Sequence, residues 1–219
     1  MPKIRSVLAL GCLCWVTGCG SASPEQVSAD IDKVAEVKTG FGPEFQIRHI
    51  EQTGIDQRLL AGGALPSGLT FEPAECSKFA VSQQMSTGTQ GNMAAVAAEG
   101  SGNRFIAIAM ETSEPVPFVE PGRTCQKIAF SGEGLRGLVE VVEAPRIEGT
   151  RTLGVHRVIQ AVEGDQLRTG EIYNYTAAFG PYRVLVVANP LVLPDQPVVP
   201  VDTARARDLL VEAVSAVRS

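Results

Sequence analysis

The clearest pattern of apolar positions lies at the C-terminal end of the chain, after Asp202. Apolar side chains recur there at i, i+3, i+4, i+7, i+8 and i+11, the spacing that places them on one face of an α-helix. These positions are Ala206, Leu209, Leu210, Ala213, Val214 and Val217. Asp202 is a favourable N-cap residue. The pattern predicts an amphipathic helix over Asp202 to Arg218, packed across a sheet.

Alternating and continuous apolar runs elsewhere in the chain predict that sheet. Met93 to Ala98 and Arg104 to Met110 flank a Gly-rich turn and indicate a hairpin. Further strands, joined by short turns, follow in the second half of the chain, and short turns require antiparallel neighbours. Val184 to Ala188 is apolar on both faces and is predicted to be a central strand. We therefore expect an α+β fold, with a twisted, mostly antiparallel sheet of five to seven strands.

Two shorter segments show helical spacing. One begins near Ser28, carries Ile31, Val34 and Ala35 on one face, and ends at the Gly-Phe-Gly-Pro segment 40–43. The other follows Pro73, since proline is favourable at the first position of a helix. Its inward positions include Cys76, Phe79 and Ala80.

The N-terminal segment has the features of an export signal. Lys3 and Arg5 precede a mostly apolar run, Val7 to Gly18, which is much shorter than the ~20 residues of a membrane-spanning helix. The run ends in Val16-Thr17-Gly18-Cys19, which resembles the lipobox of bacterial lipoproteins. This resemblance implies a signal peptide at 1–18, a lipidated tether at 19–27 that begins with acylated Cys19, and a single extracytoplasmic domain at 28–219. The expected location is the extracytoplasmic face of the cell membrane.

The cysteine content of the exported part favours a disulfide. Of the five cysteines, only Cys76 and Cys125 lie beyond the predicted signal and its cleavage point. An even pair in an oxidising compartment indicates a disulfide rather than a metal site. Two separate buried thiols are the alternative. A redox role is disfavoured because the chain has no C-x-x-C spacing.

Composition and charge restrict the classes of partner. The chain is 44% hydrophobic and 20% charged, which is typical of a folded domain, and its net charge is −5. No basic stripe is present to neutralise phosphates, so we expect no nucleic-acid partner. An acidic surface is not attracted to anionic headgroups, so contact with the membrane is expected to depend on the lipid anchor.

No catalytic, cofactor or metal motif stands out in the chain. Gly132 to Gly137 match the G-x-G-x-x-G spacing, but a strand-like segment follows where a dinucleotide site requires a helix. His49 and His156 are the only histidines, which is too few for a typical catalytic zinc site. We therefore expect no cofactor, no metal and no catalytic residue.

An aromatic face in a late strand is the best candidate for a ligand-facing surface. Tyr173, Tyr175 and Phe179 lie at period two, and Tyr182 follows in the next strand. Tyrosine combines an apolar body with a polar tip, which suits recognition. The alternative, favoured by the tendency of sheets to bury one face, is a core face covered by the C-terminal helix.

Several of these features together resemble a known family. They are the lipobox, the segment Pro73 to Cys76, a second cysteine about 50 residues later, the segment Tyr173 to Ala177 and the terminal helix from Leu209 to Arg218. The combination is similar to mycobacterial lipoproteins of unknown function. It is more distantly similar to the extracellular sensor domain of a mycobacterial receptor-type serine/threonine kinase. The resemblance implies a twisted antiparallel sheet with helices on one side and a cleft.

The expected function is a non-enzymatic binding or sensor-like module, anchored by lipid in the cell envelope. Its partner is expected to be a small envelope molecule or a protein. An envelope hydrolase with His49 or His156 as base, and a structural lipoprotein without ligand, are the alternatives.

Overall fold

A nine-stranded antiparallel sheet organises the part of the chain that the structure describes. The structure is a computed structural model, and it describes residues 28–56, 65–82, 88–114, 117–132, 134–164 and 166–219. The strand order is β1-β3-β4-β9-β8-β7-β6-β5-β2. The strands are β1 (Gln46–Gly54), β2 (Thr70–Glu72), β3 (Gly91–Gly100), β4 (Asn103–Thr112), β5 (Lys127–Gly132), β6 (Leu135–Val142), β7 (Arg151–Glu163), β8 (Gln166–Phe179) and β9 (Tyr182–Pro190).

The predicted α+β class and antiparallel pairing are confirmed, whereas the expected number of five to seven strands is too low. One strand that the sequence hides is β2, whose three residues follow a Pro- and Gly-rich segment that has no alternating pattern. The predicted central strand is confirmed, since β9 pairs with β4 on one side and β8 on the other.

Three helices accompany the sheet in the described ranges. Helix α1 (Ile31–Gly40) has 3₁₀ geometry, α2 (Ser77–Ser82) continues a 3₁₀ turn at Ala74–Cys76, and α3 (Thr203–Arg218) is the predicted amphipathic helix. The Asp202 carboxylate caps α3 by accepting a hydrogen bond from the Arg205 N–H at 2.9 Å. None of the described helices is both long and apolar enough to cross a bilayer.

Helices α1 and α3 cover one face of the sheet, over β1, β3, β4, β9 and β8. All six apolar positions of the predicted α3 stripe are buried there. Small side chains in β3, such as Ala94 and Ala98, are fully buried on the same face and let α1 approach the sheet closely. The hydrophobic core of this face therefore follows the sequence pattern.

The opposite face carries a second helical layer, so the expectation of helices on one side only is wrong. Val155 points to the face opposite to its neighbour Gly154, which shares the α3 face with Tyr175. Phe79 and Ala80 of α2 pack with Val155 and with Ile128 of β5 on that opposite face. Helix α2 is short, and its periodicity does not predict the side of the sheet on which it packs.

The disulfide joins the 3₁₀ turn at Ala74–Cys76 to a second 3₁₀ turn at Arg123–Cys125, which lies just before β5. The sulfurs of Cys76 and Cys125 are bonded, and the two Cα atoms are 5.5 Å apart. Both cysteines are buried in the cluster beneath α2. The sequence-based prediction of this pair is confirmed. The predicted signal peptide at 1–18, Cys19 and the tether at 19–27 lie outside the described residues.

Candidate functional site

Two neighbouring clefts open where the end of α1 meets the beginning of α3. The first, of about 310 Å³, is lined by residues that include Phe41, Asp208 and Glu212. The second, of about 290 Å³, lies beside the β3–β4 turn, and its lining includes Phe45 and Asn103. Asp202 and Arg205 line both clefts. We refer to this pair of cavities as the Arg205 clefts.

The side chain of Arg205 lies between the two clefts and contacts a backbone carbonyl and two aromatic rings. Its Nη2 donates a hydrogen bond of 2.7 Å to the carbonyl oxygen of Gly40, the last residue of α1. Its Cζ lies 4.6 Å from the ring centroid of Phe41 and 5.0 Å from that of Phe45. These are distances at which an aromatic ring attracts a cation. The guanidinium is therefore bound by two ring faces and a backbone carbonyl.

The aromatic wall behind Arg205 depends on local features of the sequence. Phe41 follows the end of α1 at Gly40, and its ring centroid lies 5.0 Å from that of Phe45. The Phe45 ring and the Glu44 carbonyl lie against Gly100 of β3, where a Cβ atom would come within 2.7 Å of each. Because Gly100 has no side chain, the segment after α1 lies directly on the sheet. The sequence pattern identified 40–43 only as the end of a helix.

Asn103 fixes the other wall by joining two segments of chain, the β3–β4 turn and the stretch before α3. It is 3% exposed, and its Oδ1 accepts a 2.9 Å hydrogen bond from the Asp202 N–H. Its Nδ2 donates to the carbonyl oxygens of Ser101 and Pro200 at 3.4 and 3.3 Å. A buried amide with its polar atoms paired orders its surroundings. The cap of α3 is thereby held against the β3–β4 turn.

Carboxylates outnumber the guanidinium in the lining of the clefts. Asp208 and Glu212 line the first cleft, Glu44 lines the second, and Asp202 lines both. In the described part of the chain, the contacts of the Arg205 guanidinium are with Gly40 and the two rings, and it forms no ion pair. The Arg205 Nε is buried and lacks a hydrogen-bond acceptor among these residues. The clefts therefore combine aromatic faces with carboxylates that the guanidinium does not engage.

The four aromatic residues expected to face a ligand divide between core and surface. Tyr175, Phe179 and Tyr182 are 1%, 5% and 7% exposed and belong to the core cluster with α3. These three residues lie on a core face covered by α3, which is the alternative to a ligand-facing surface. Tyr173 is half-buried at the margin of that cluster. Of the four, only Tyr173 lies at the edge of the area that α3 covers.

Tyr173 forms a polar group with His156 and two carboxylates. The rings of His156 and Tyr173 are stacked, with centroids 4.0 Å apart and planes 9° apart. The His156 Nε2 lies 3.2 Å from the Glu171 carboxylate, and Glu140 is the register partner of His156 on β6. Burial raises the pKa of Tyr173, and the charges of Glu171 and Glu140 raise it further. The phenol is therefore held in its neutral form.

The structure does not bring the two histidines together. His49 is exposed on edge strand β1, and His156 lies on β7, five strands away in the sheet order. At about 4.8 Å per strand this is about 24 Å. The hydrogen bond of His156 in the described residues joins it to Glu171, and no serine, threonine or cysteine side chain bonds to its ring there. A nucleophile–histidine pair is thus absent from the described residues.

The described residues contain no group of three or more His, Cys, Asp or Glu side chains placed to hold a metal ion. In the G-x-G-x-x-G segment, Gly132 is the last residue of β5 and Gly137 lies within β6. A Cβ atom on Gly137 would collide with the Val158 carbonyl and the Phe130 ring. This glycine has a packing role, and no helix follows it to bind phosphate.

The Arg205 clefts were not predicted from the sequence. Arg205 lies on the polar side of α3, and in a periodicity analysis it is indistinguishable from a solvated charge. A Phe-x-x-x-Phe spacing at Phe41 and Phe45, directly after a helix end, is the signal that could have drawn attention to the region.

Comparison with known proteins gives the family of the chain. No curated protein matches it. The X-ray structure of an uncharacterized protein from Mycobacterium smegmatis, the Rv0999 ortholog, is 58% identical, with a TM-score of 0.82, and the match covers 88% of this chain and 98% of that one. Residues 30–218 match the family model described as a domain of unknown function, DUF5642. The chain therefore belongs to the DUF5642 family, a mycobacterial family of unknown function.

Proposed function

We propose that the chain is a lipid-anchored, extracytoplasmic binding or sensor-like module of the cell envelope that performs no catalysis. The observation that carries this proposal is the pair of Arg205 clefts, where aromatic faces and several polar groups converge beside two helices. Each cleft is at the lower end of the range of small-ligand pockets, which is ~300–1,000 Å³. The ligand is a small envelope molecule or a group presented by a protein partner.

The arrangement of α1 and α3 supports binding away from the membrane. The Asp30 N–H donates to the Val217 carbonyl, so the point where the tether enters the domain lies at the C-terminal end of α3. Arg205 lies in the first turn of this helix, 12 positions before Val217. At about 1.5 Å per residue, the two residues are separated by about 18 Å along the helix axis. A lipid at Cys19 would hold the domain at the membrane and leave the clefts accessible to a partner in the envelope.

The proposal also draws on the sequence resemblances. The lipobox-like Val16-Thr17-Gly18-Cys19 supports lipidation of Cys19. The distant similarity to the extracellular sensor domain of a receptor-type kinase supports a sensing or binding role. In the described residues His156 bonds to Glu171 and to no serine, threonine or cysteine side chain, which supports a role without hydrolysis.

Native mass spectrometry of the full chain, purified in detergent from its own host, tests the proposal. We expect a co-purifying molecule or protein that is lost in Asp208→Lys, because this exposed side chain lines the first cleft. Glu51→Lys, a charge reversal of an exposed carboxylate on β1, is the matched control and should retain the bound species. Recovery of no bound species, together with a hydrolytic activity that a His49/His156 double variant abolishes, would establish the hydrolase alternative instead.

The anchor is tested separately by Cys19→Ala. We expect the variant to leave the membrane fraction or to accumulate as an uncleaved precursor, since two or more acyl chains are needed for stable attachment. Unchanged partitioning into detergent would contradict lipidation at Cys19.

A further inference from the structure

We propose that the Arg205 clefts bind an organic cation, an alkyl guanidinium or ammonium group, and that the Arg205 guanidinium stands where the cationic group of the ligand binds. This inference rests on the proposed binding function and names the chemical class of its ligand. It makes Arg205 an internal competitor that a ligand must displace.

The environment of the Arg205 guanidinium is that of a cation site. Arg205 lies over two rings, Phe41 and Phe45, at 4.6 and 5.0 Å from their centroids. Ring faces of this kind recognise cationic ligands, because the negative potential over the ring attracts positive charge. The chain's own guanidinium thus shows what chemical group these two rings accept.

Arg205 differs from the other two arginines described here that stack on aromatic rings. Arg151 lies over the ring of Phe118 and also pairs with the Glu120 carboxylate at 3.1 Å. Arg218 lies over Phe179 and donates a 2.7 Å hydrogen bond to the Glu148 carbonyl. Each of these two arginines stacks on one ring, whereas Arg205 stacks on two and lines a cleft on each side.

The contacts of Arg205 with the described residues leave one of its hydrogen-bond donors without an acceptor. Its Nε is buried without an acceptor among the described residues. A buried donor without a partner is unfavourable, so part of the gain from stacking is offset. Rotation of the side chain toward solvent would expose Nε to water and join the two clefts between the aromatic wall and α3.

The charge of the lining favours a cationic ligand over an anionic one. Asp202, Asp208, Glu212 and Glu44 stand against the single guanidinium of Arg205. A second cation in the clefts would be attracted by these carboxylates, and N–H donors could bond to those that Arg205 leaves unpaired. A phosphate or carboxylate ligand would meet repulsion from the same groups.

Titration of the full chain in detergent with n-butylguanidinium, followed by NMR of the Arg205 Nε–Hε signal, tests the inference. The uncharged isostere n-butylurea is the matched ligand control. We expect butylguanidinium to shift the signal and to bind at least about tenfold more tightly than butylurea, because only the former carries charge to the rings and carboxylates. Equal affinity for the two compounds would overturn the assignment of a cation site.

Variants separate competition by Arg205 from a general effect of charge. Arg205→Ala should bind butylguanidinium about tenfold more tightly than the wild-type chain, since no guanidinium must be displaced. Arg218→Ala, which removes a stacked arginine elsewhere on α3, should leave the affinity unchanged. A melting curve checks that each variant is folded. If Arg205→Ala is not, the shift of the Arg205 Nε–Hε signal in the wild-type chain tests the displacement, and an unshifted signal at saturating butylguanidinium would overturn it. Equal affinities of folded Arg205→Ala and wild type would overturn the displacement.

The source of the cationic group is distinguished by a second probe, the capped peptide acetyl-Gly-Arg-Gly-amide. Tighter binding of the peptide than of butylguanidinium supports an arginine of a protein partner, and weaker binding supports a small molecule. Capture of a neutral or anionic envelope molecule in the clefts would overturn the cation class while leaving the binding function intact. Selective binding of butylguanidinium without any ligand recovered from the host would support the site and contradict the function.

Discussion

Gly154 of β7 lies directly opposite Tyr175 of β8, and the missing side chain of the glycine gives the tyrosine ring its place beneath α3. A Cβ atom on Gly154 would lie 3.1 Å from Tyr175 Cε1 and 2.8 Å from the Val142 carbonyl oxygen. Tyr175 is 1% exposed and contacts the core cluster formed with α3. This contact joins β7 to the part of β8 that packs beneath α3.

Gly154→Ala is expected to destabilise the fold. The added methyl group has backbone on one side and a buried ring on the other, so relief requires a shift of packed atoms, which typically costs about 1–3 kcal/mol. Gly170→Ala in β8 is the control, because a Cβ atom there meets nothing within 4 Å. Urea unfolding of both variants measures the difference. Equal stability of the two would contradict the close packing of Gly154 against Tyr175.

Leu210→Asp in α3 is expected to unfold the domain or destabilise it strongly. Leu210 is fully buried against the sheet, and an aspartate there would be a charge without a partner. Val211→Asp is the adjacent control, since Val211 is 41% exposed and should tolerate the change within about 0.5 kcal/mol. Thermal melting by circular dichroism compares them. Similar melting of both variants would show that α3 is not part of the core.

Loss of the Cys76–Cys125 disulfide is expected to lower the free energy of unfolding. Closing a loop with a sequence separation of 49 corresponds to roughly 4 kcal/mol in the chain-entropy model, within a measured range of about 2–5 kcal/mol for native disulfides. The double variant Cys76→Ala/Cys125→Ala should show this loss in urea unfolding, and reductant should then have no further effect. A wild-type chain whose two thiols react with an alkylating agent without reductant would contradict the bond.

The stability of the chain is expected to fall at alkaline pH through Tyr173 and Tyr175. Burial raises the pKa of both phenols in the folded chain. The folded chain therefore holds these protons more tightly than the unfolded chain does. The resulting stabilisation is fully present below the ordinary pKa of about 10 and is lost as pH rises through the raised folded values.

The charge of Glu171 is a separable part of the effect on Tyr173. Glu171→Gln should move the pKa of Tyr173 downward, to a value still above the ordinary one, because burial remains the larger cause. NMR titration of tyrosine labelled at Cζ resolves the three tyrosines of the chain. Glu51→Gln on the distant strand β1 is the control. An unchanged Tyr173 titration in Glu171→Gln would contradict a contribution of the Glu171 charge to the raised pKa of Tyr173.

The sequence predicts the elements whose side chains alternate regularly between core and solvent. The α3 stripe, the hairpin of β3 and β4, and the central strand β9 were recognised because burial on one or both faces leaves a periodic record. The side on which α2 packs leaves no such record, because helical periodicity gives the inward face of a helix but not the face of the sheet that it covers. The short strand β2 is likewise set by its pairing with β5.

The candidate site was harder to predict, for a physical reason. The Arg205 clefts form where α1, the β3–β4 turn and the cap of α3 meet, through residues far apart in the chain. Asn103 and Asp202, for example, are separated by 99 positions and joined by one hydrogen bond. Each residue alone resembles an ordinary polar position. The regular aromatic face that stood out in the sequence belongs largely to the core, because periodicity reports burial more strongly than recognition.

Photocrosslinking in the host tests most directly the claim that the Arg205 clefts bind an envelope ligand or partner. A benzophenone amino acid is placed at Ala204, an exposed residue of the first cleft, and at Val211, an exposed residue of the same helix outside both clefts. After irradiation of intact cells, mass spectrometry should find a covalent adduct at position 204 and none at position 211. No adduct at either position, or equal adducts at both, would contradict binding in the clefts.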